Sequence, residues 1–159
     1  VGSEMCIRDR SLGDVYFKKL FPMGVDAMIE ALDLVRSGDA PRVEQNLDEG
    51  SYESWFGKKE ARLDWTQPAQ QVYNIIRAGN PQPGAWTTHN ETELRIFNAS
   101  LGSASGSPGE VVAVDSDGFE VATGEGSVRA LRVRADGGKV TAAEYAQESG
   151  LQVGDRLGA

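Results

Sequence analysis

The chain has 159 residues, 40% apolar and 25% charged, an ordinary make-up for a soluble globular chain with room for one average domain or two small ones. No apolar run approaches the roughly 18 residues of a membrane span, a single cysteine excludes a disulfide scaffold, and Cys6 with His89 cannot supply the about four ligands of an ordinary structural zinc site. Sixteen Lys and Arg against 24 Asp and Glu give a net charge of −8, which repels polyanions at long range unless a local basic patch overrides it.

Residues 1–10, Val-Gly-Ser-Glu-Met-Cys-Ile-Arg-Asp-Arg, have neither periodicity nor a signal-peptide core. They resemble the translation of a sequencing adapter fused in frame, and such a scar is set aside from fold reasoning. The native stretch is then expected to start at Ser11, with coding sequence upstream of it. Asp14 to Ser37 reads as helix, because Leu20, Phe21, Val25, Met28, Ile29, Leu32 and Val35 recur at steps of three and four. Pro22 should kink it or open a second segment, and Gly38 should stop it. Residues 39–57 form a connector whose Tyr52, Trp55 and Phe56 suit docking on a neighbouring domain.

Lys58 to Trp65 is a short charged stretch. Thr66 can cap a helix that runs to about Ala78, with Val72, Ile75 and Ile76 on one face. Asn80-Pro81-Gln82-Pro83-Gly84 is a rigid bend and the expected domain boundary. From Ala85 the period changes to two. Strands are expected at 93–98, 111–114, 119–123 and 128–133, with a hairpin turn at Asp115-Ser116-Asp117-Gly118. Gly102 to Gly109 reads as a flexible loop. Thr141 with Glu144 is a capping box opening a helix to about Gln147, stopped by Gly150. Leu151, Val153 and Leu157 suit a short strand or tail. Four or five strands with one helix suggest a small barrel.

No catalytic dyad stands out. His89 reads as an exposed turn histidine within Thr87–Glu91 rather than a base, and Gly124-Glu125-Gly126 as a hairpin turn rather than a phosphate loop. Two basic clusters remain. Lys58, Lys59 and Arg62 could contact phosphates or form a solvated turn with Glu60 and Asp64. Arg129, Arg132 and Arg134 lie on one strand, with Arg132 and Arg134 on one face. Residues 11–85 carry 8 Lys/Arg and 11 Asp/Glu, and residues 86–159 carry 6 and 11, so the expected barrel is the more acidic part.

Three segments carry a resemblance. They are Phe17-Lys18-Lys19-Leu20-Phe21-Pro22-Met23-Gly24 with its helix to Ser37-Gly38, Glu60-Ala61-Arg62-Leu63-Asp64-Trp65, and Ile76-Arg77-Ala78-Gly79-Asn80-Pro81-Gln82-Pro83-Gly84-Ala85-Trp86-Thr87. In this order they resemble the downstream half of the 10-formyltetrahydrofolate-dependent formyltransferases, of which methionyl-tRNA formyltransferase is the best-known member. The Pro-Gly-Ala-Trp-Thr ending is nearer to the hydrolase domain of 10-formyltetrahydrofolate dehydrogenase. The resemblance covers most of Asp14–Leu157 and implies an α+β chain: the helical end of a Rossmann-like catalytic domain (11–57), a linker with a helix (58–85) and an oligonucleotide-binding-like β-barrel (86–159).

The resemblance also implies a cytoplasmic enzyme that passes a formyl group from 10-formyltetrahydrofolate to the amine of initiator Met-tRNA. A hydrolase or a formyltransferase for a small amine is the alternative. The family's catalytic Asn, His and Asp match no residue here, so the chain alone is expected to be inactive, with no cofactor or metal of its own. Lys58, Lys59 and Arg62 fall in the family's tRNA-facing linker, Arg132 or Arg134 could serve in the barrel, and Arg77 could pair across the domain junction. A stand-alone interaction module ranks behind both enzyme readings.

Overall fold

A computed structural model describes residues 10–52 and 54–158, so all but the last residue of the adapter-like segment lies outside it. The chain divides into two compact units, residues 1–55 and 56–159.

The first unit is helical. Ser11 caps α1 (Leu12–Val15) through its hydroxyl, which accepts from the Asp14 amide. A π-helical turn, Tyr16–Leu20, leads into α2 (Phe21–Ser37), with Pro22 in its first turn. The Phe21 amide reaches back to the Tyr16 carbonyl, a five-residue step. Proline has no amide to donate and its ring crowds the preceding turn, so a widened turn ahead of Pro22 accommodates it. Gly38 ends α2 at φ +83°, and Asp39 N–H donates to Leu34 O at 3.0 Å while Gly38 N–H reaches Val35 O. This closes the helix as a Schellman motif. None of the apolar side chains of α2 is buried. Tyr52 and Trp55 are exposed.

The second unit holds a six-stranded antiparallel sheet. Its strands are β1 (Ala85–His89), β2 (Thr92–Gly102), β3 (Val111–Asp115), β4 (Gly118–Ala122), β5 (Ser127–Arg134) and β6 (Val140–Thr141). The order is β1-β2-β5-β4-β3, and β6 also pairs with β5. No ladder joins β1 to β3 among the described residues, so the strands pair as an open sheet where a barrel was expected. Leu94, Ile96, Phe119, Val121 and Val133 are fully buried. α3 (Ala69–Ala78) buries Val72 and Ile76 in the same core, and α4 (Ala142–Ser149) adds Tyr145 and Ala146. The Thr141–Glu144 capping box is formed, and Gly150 takes the left-handed conformation that ends α4.

Residues 58–85 lie within the second unit, where residues 80–84 form a turn. Ala61, Leu63 and Trp65 are buried, and the 61–63 backbone pairs with Trp86 by Leu63 N–H to Trp86 O (2.8 Å) and Trp86 N–H to Ala61 O (2.9 Å). Thr66 does not cap α3. Its hydroxyl donates to Asp64 Oδ1 at 2.6 Å. The carbonyl of Glu125 in the β4–β5 turn accepts the Ala69 amide instead, at 2.9 Å. That contact needs Gly124, where a Cβ would stand 2.0 Å from the Thr66 carbonyl oxygen.

His89 is not in an exposed turn. It ends β1, is 5% exposed, and its Nδ1 lies 2.8 Å from the Tyr145 hydroxyl. The turn is Asn90-Glu91 alone, both at positive φ, as a two-residue hairpin loop of the mirror-image type requires. Arg77 stacks on Tyr73, 5.5 Å from the ring centre, and donates to Asn74 Oδ1 within α3.

Candidate binding face

Strand register sets one expected basic residue, Arg134, in a row with Trp86 and Arg95. Trp86 in β1 stands opposite Arg95 in β2, and Arg95 stands opposite Arg134 in β5. Directly opposed residues of an antiparallel pair share a face. Ile96 and Val133, one step along, turn the other way into the core. The outer face of β1–β2–β5 therefore carries a row of one indole and two guanidinium groups.

The 58–62 segment adds two cations at the β1 end of that row. Trp86 Nε1 donates to the Lys58 carbonyl at 2.7 Å. The Lys58 ammonium lies 5.2 Å, and the Arg62 guanidinium 5.6 Å, from the centre of the Trp86 ring. Both are within cation–π range. Lys58 also pairs with Glu93 at 2.5 Å, and Arg95 takes the same carboxylate at 2.7 Å. The Lys58 hydrogen bond, with the Arg95 hydrogen bond and both positive charges, holds the Glu93 carboxyl below its ordinary range.

At the other end two β-bulges set the geometry. Ile96 pairs with Val133 but Asn98 with Arg132, so Phe97 is an extra residue of β2. Ala99 then pairs with Ala130, so Leu131 is the extra residue of β5. Arg134 lies 5.5 Å from the Phe97 ring centre and the Lys139 ammonium 3.7 Å. Burial, followed by the charges of Arg134 and Arg132, pushes the Lys139 ammonium below its ordinary value.

The expected residues thus have different surroundings. Lys58, Arg62 and Arg134 join one face, with exposed Arg132 beside it. Lys59 lines a groove of about 570 Å³ with Arg62, Trp65, Pro108, Arg156 and Leu157. Arg129 is held by Asp115 at 2.6 Å and Glu120 at 3.1 Å, and the Asp115 hydrogen bond leads in raising its pKa. Trp86, Arg95, Phe97 and Lys139 were not singled out as binding residues. The alternation Ala85/Thr87/His89 inward and Trp86/Thr88 outward is the signal that marks Trp86. Among the described residues no three His, Cys, Asp or Glu side chains group closely enough to hold a metal ion, and no helix is long and apolar enough to cross a membrane.

The sheet unit and the sequence as a whole have known counterparts. Residues 56–150 match the family described as formyl transferase, C-terminal domain. The chain belongs to the formyl transferase family, matching its carboxy-terminal portion. It is 37% identical over 145 residues to the methionyl-tRNA formyltransferase of Syntrophomonas wolfei, covering 89% of this chain and 46% of that protein. It is 37% identical over 93 residues to the cytosolic 10-formyltetrahydrofolate dehydrogenase of Xenopus laevis, covering 58% and 10%. The crystal structure of HypX from Aquifex aeolicus in complex with tetrahydrofolic acid superposes with a TM-score of 0.63 at 27% identity, covering 81% of this chain and 23% of HypX. The chain spans about half the length of the methionyl-tRNA formyltransferase it matches.

Proposed function

We propose that this chain is the carboxy-terminal part of a methionyl-tRNA formyltransferase-like enzyme and that its outer sheet face holds the tRNA. The observation that carries the reading is the row Trp86–Arg95–Arg134, flanked by Lys58 and Arg62 at one end and Arg132 and Lys139 at the other. Cations along a track position a phosphate backbone, and they do so without reading bases. Lys59 extends the track into the neighbouring groove.

In the proposed reaction the methionyl amine attacks the formyl carbon of 10-formyltetrahydrofolate. The new carbon–nitrogen bond forms, the amine proton leaves to a base, and the bond from the formyl carbon to the folate nitrogen breaks as that nitrogen takes up a proton. Donors must hold the oxyanion of the tetrahedral intermediate. This chain supplies binding and not that chemistry. The family's catalytic Asn, His and Asp match no residue here, and the ring of His89 is buried against Tyr145. Residues 11–57 are read as the helical end of the Rossmann-like catalytic domain, and the sheet unit as its oligonucleotide-binding-like partner, both in the cytoplasm.

One observation favours the second reading, a 10-formyltetrahydrofolate hydrolase or a formyltransferase for a small amine. Glu93 engages two of the cations on the face, and residues 56–159 carry 10 Lys/Arg against 13 Asp/Glu. The full-length gene product, assayed with 10-formyltetrahydrofolate with and without charged initiator tRNA, decides between them. Tetrahydrofolate release that requires the tRNA is expected. Release without it supports the hydrolase-like reading. The chain by itself should release none.

A further inference from the structure

The groove of about 570 Å³ is lined by two segments of the sheet unit, residues 59 and 62–66 on one side and residues 108 and 156–158 on the other. Residues 154–158 form a tail that crosses between the outermost strands of the sheet order, β3 and β1. Val111 N–H donates to Asp155 O and Gly154 N–H to Val111 O, both at 2.8 Å. Leu157 N–H then reaches Gly109 O at 2.8 Å, just ahead of β3, and Gly158 N–H reaches Thr88 O of β1 at 2.9 Å. Gly109 permits the approach, with φ at +86° and room for a Cβ only 2.6 Å from the Leu157 carbonyl oxygen.

Each side brings exposed cations, Lys59 and Arg62 from the first and Arg156 from the tail. The acids nearby are committed to local donors. Glu60 accepts from the Gly57 amide at 2.9 Å. Asp64 accepts from the Thr66 amide and hydroxyl and from the Gln67 side-chain amide, at 2.6 to 3.0 Å. Glu110 pairs with Arg156 through the backbone, but its carboxylate accepts from the Ser107 amide at 2.8 Å. Among the described residues no carboxylate lies within ion-pair reach of Lys59, Arg62 or Arg156. Arg132, Arg134 and Lys139 share that property on the open outer face. What the groove adds is walls, with Leu63, Trp65, Pro108 and Leu157 lining it as well.

We propose that this groove binds a small organic dicarboxylate, one carboxylate held by Arg156 and the other by Lys59 and Arg62, with the body of the ligand against the apolar lining. A guanidinium matches a carboxylate through two parallel N–H···O bonds, and the volume lies in the range of small-molecule sites. Cations on both sides suit two separated anionic groups on an apolar spacer, whereas a single phosphate would leave one side unmatched. A ligand so held ties the tail to the 59–66 segment. The proposal goes beyond the tRNA reading and does not rest on it. Lys59 is common to both, but Arg156 belongs to the tail and stands outside the row of cations on the outer sheet face.

The test titrates the full chain calorimetrically with terephthalate and glutarate, a rigid and a flexible dicarboxylate, and with benzoate, which has one carboxylate. The better dicarboxylate should bind at least about tenfold more tightly than benzoate, and R156Q and K59Q should each weaken it by about tenfold. Both substituted side chains are exposed, and unchanged circular dichroism and urea midpoints verify that the variants fold. The bound dicarboxylate should slow hydrogen exchange at the Leu157 and Gly158 amides, and R156Q should abolish that slowing. An RNA hairpin should bind R156Q as it binds the unsubstituted chain. Dicarboxylates that bind no more tightly than benzoate, or equally well to folded R156Q, would overturn the site. RNA affinity that falls in R156Q would make the groove part of an RNA track and overturn it as a site of its own. Dicarboxylate binding that depends on Arg156, in a chain that binds no RNA, would uphold the groove while the tRNA reading fails.

Discussion

Glu93 and Lys58 meet at 2.5 Å, and Arg95 shares the same carboxylate at 2.7 Å, so one acid restrains two cations of the outer sheet face. Replacing it by glutamine, E93Q, should free both. RNA affinity should rise and the salt slope should steepen by up to about two, read by titration across salt. The pair is partly exposed, so the stability cost should stay within about 1 kcal/mol.

The same carboxylate gives a pH dependence with a definite sign. Its folded pKa lies below the ordinary 4.5, so the unfolded chain binds the proton more readily in that window. Stability from this group is fully present above about pH 4.5 and is lost as pH falls through the lowered folded value. Asp64 and Asp115, lowered chiefly by the Thr66 hydroxyl and by Arg129, act in the same direction below their ordinary 3.8. Urea midpoints measured from pH 7 to pH 3 should fall only at the acid end, and E93Q should flatten part of that fall.

Gly124 makes a test of the contact between the β4–β5 turn and α3. An alanine Cβ would meet the Thr66 carbonyl at 2.0 Å, so G124A must move backbone and strain the Glu125–Ala69 hydrogen bond. A loss of about 1–3 kcal/mol or more is expected in urea unfolding. G137A, in open surroundings, is the matched control and should cost little.

Trp65 donates its indole N–H to the Thr87 hydroxyl at 3.0 Å inside the core. W65F leaves that hydroxyl buried without its donor and should cost about 1–3 kcal/mol. F119A removes a fully buried ring and should cost about 3–5 kcal/mol. Chemical denaturation ranks the two.

The apolar stripe of α2 is exposed, with Met28 at 62% and Leu32 at 55%. An uncovered apolar face of this kind promotes association. The chain should self-associate in sedimentation at high concentration, and M28S/L32S should reduce that. A single sharp monomer boundary for the unsubstituted chain would contradict it.

Local chemistry was legible in the sequence. The Asp115–Gly118 hairpin, the Thr141–Glu144 capping box and the stops at Gly38 and Gly150 each rest on a few adjacent residues, and all are present. What was missed is non-local. β1 hid because Trp86, Thr87, Thr88 and His89 alternate without aliphatic residues, so His89 read as part of a turn. Thr66 had two possible partners, and Asp64, two residues away, took its hydroxyl while a distant carbonyl satisfied Ala69. The outer sheet face was half legible. Lys58, Arg62, Arg132 and Arg134 were found as two separate clusters, because only the register of β1, β2 and β5, with bulges at Phe97 and Leu131, sets them beside one another.

The most direct test is titration of this chain with initiator tRNA at salt concentrations from roughly 50 to 200 mM. With four or five phosphate contacts, affinity should fall by about two orders of magnitude across that range. Binding that is absent, or that changes less than about threefold, would contradict a tRNA-holding role for the sheet face.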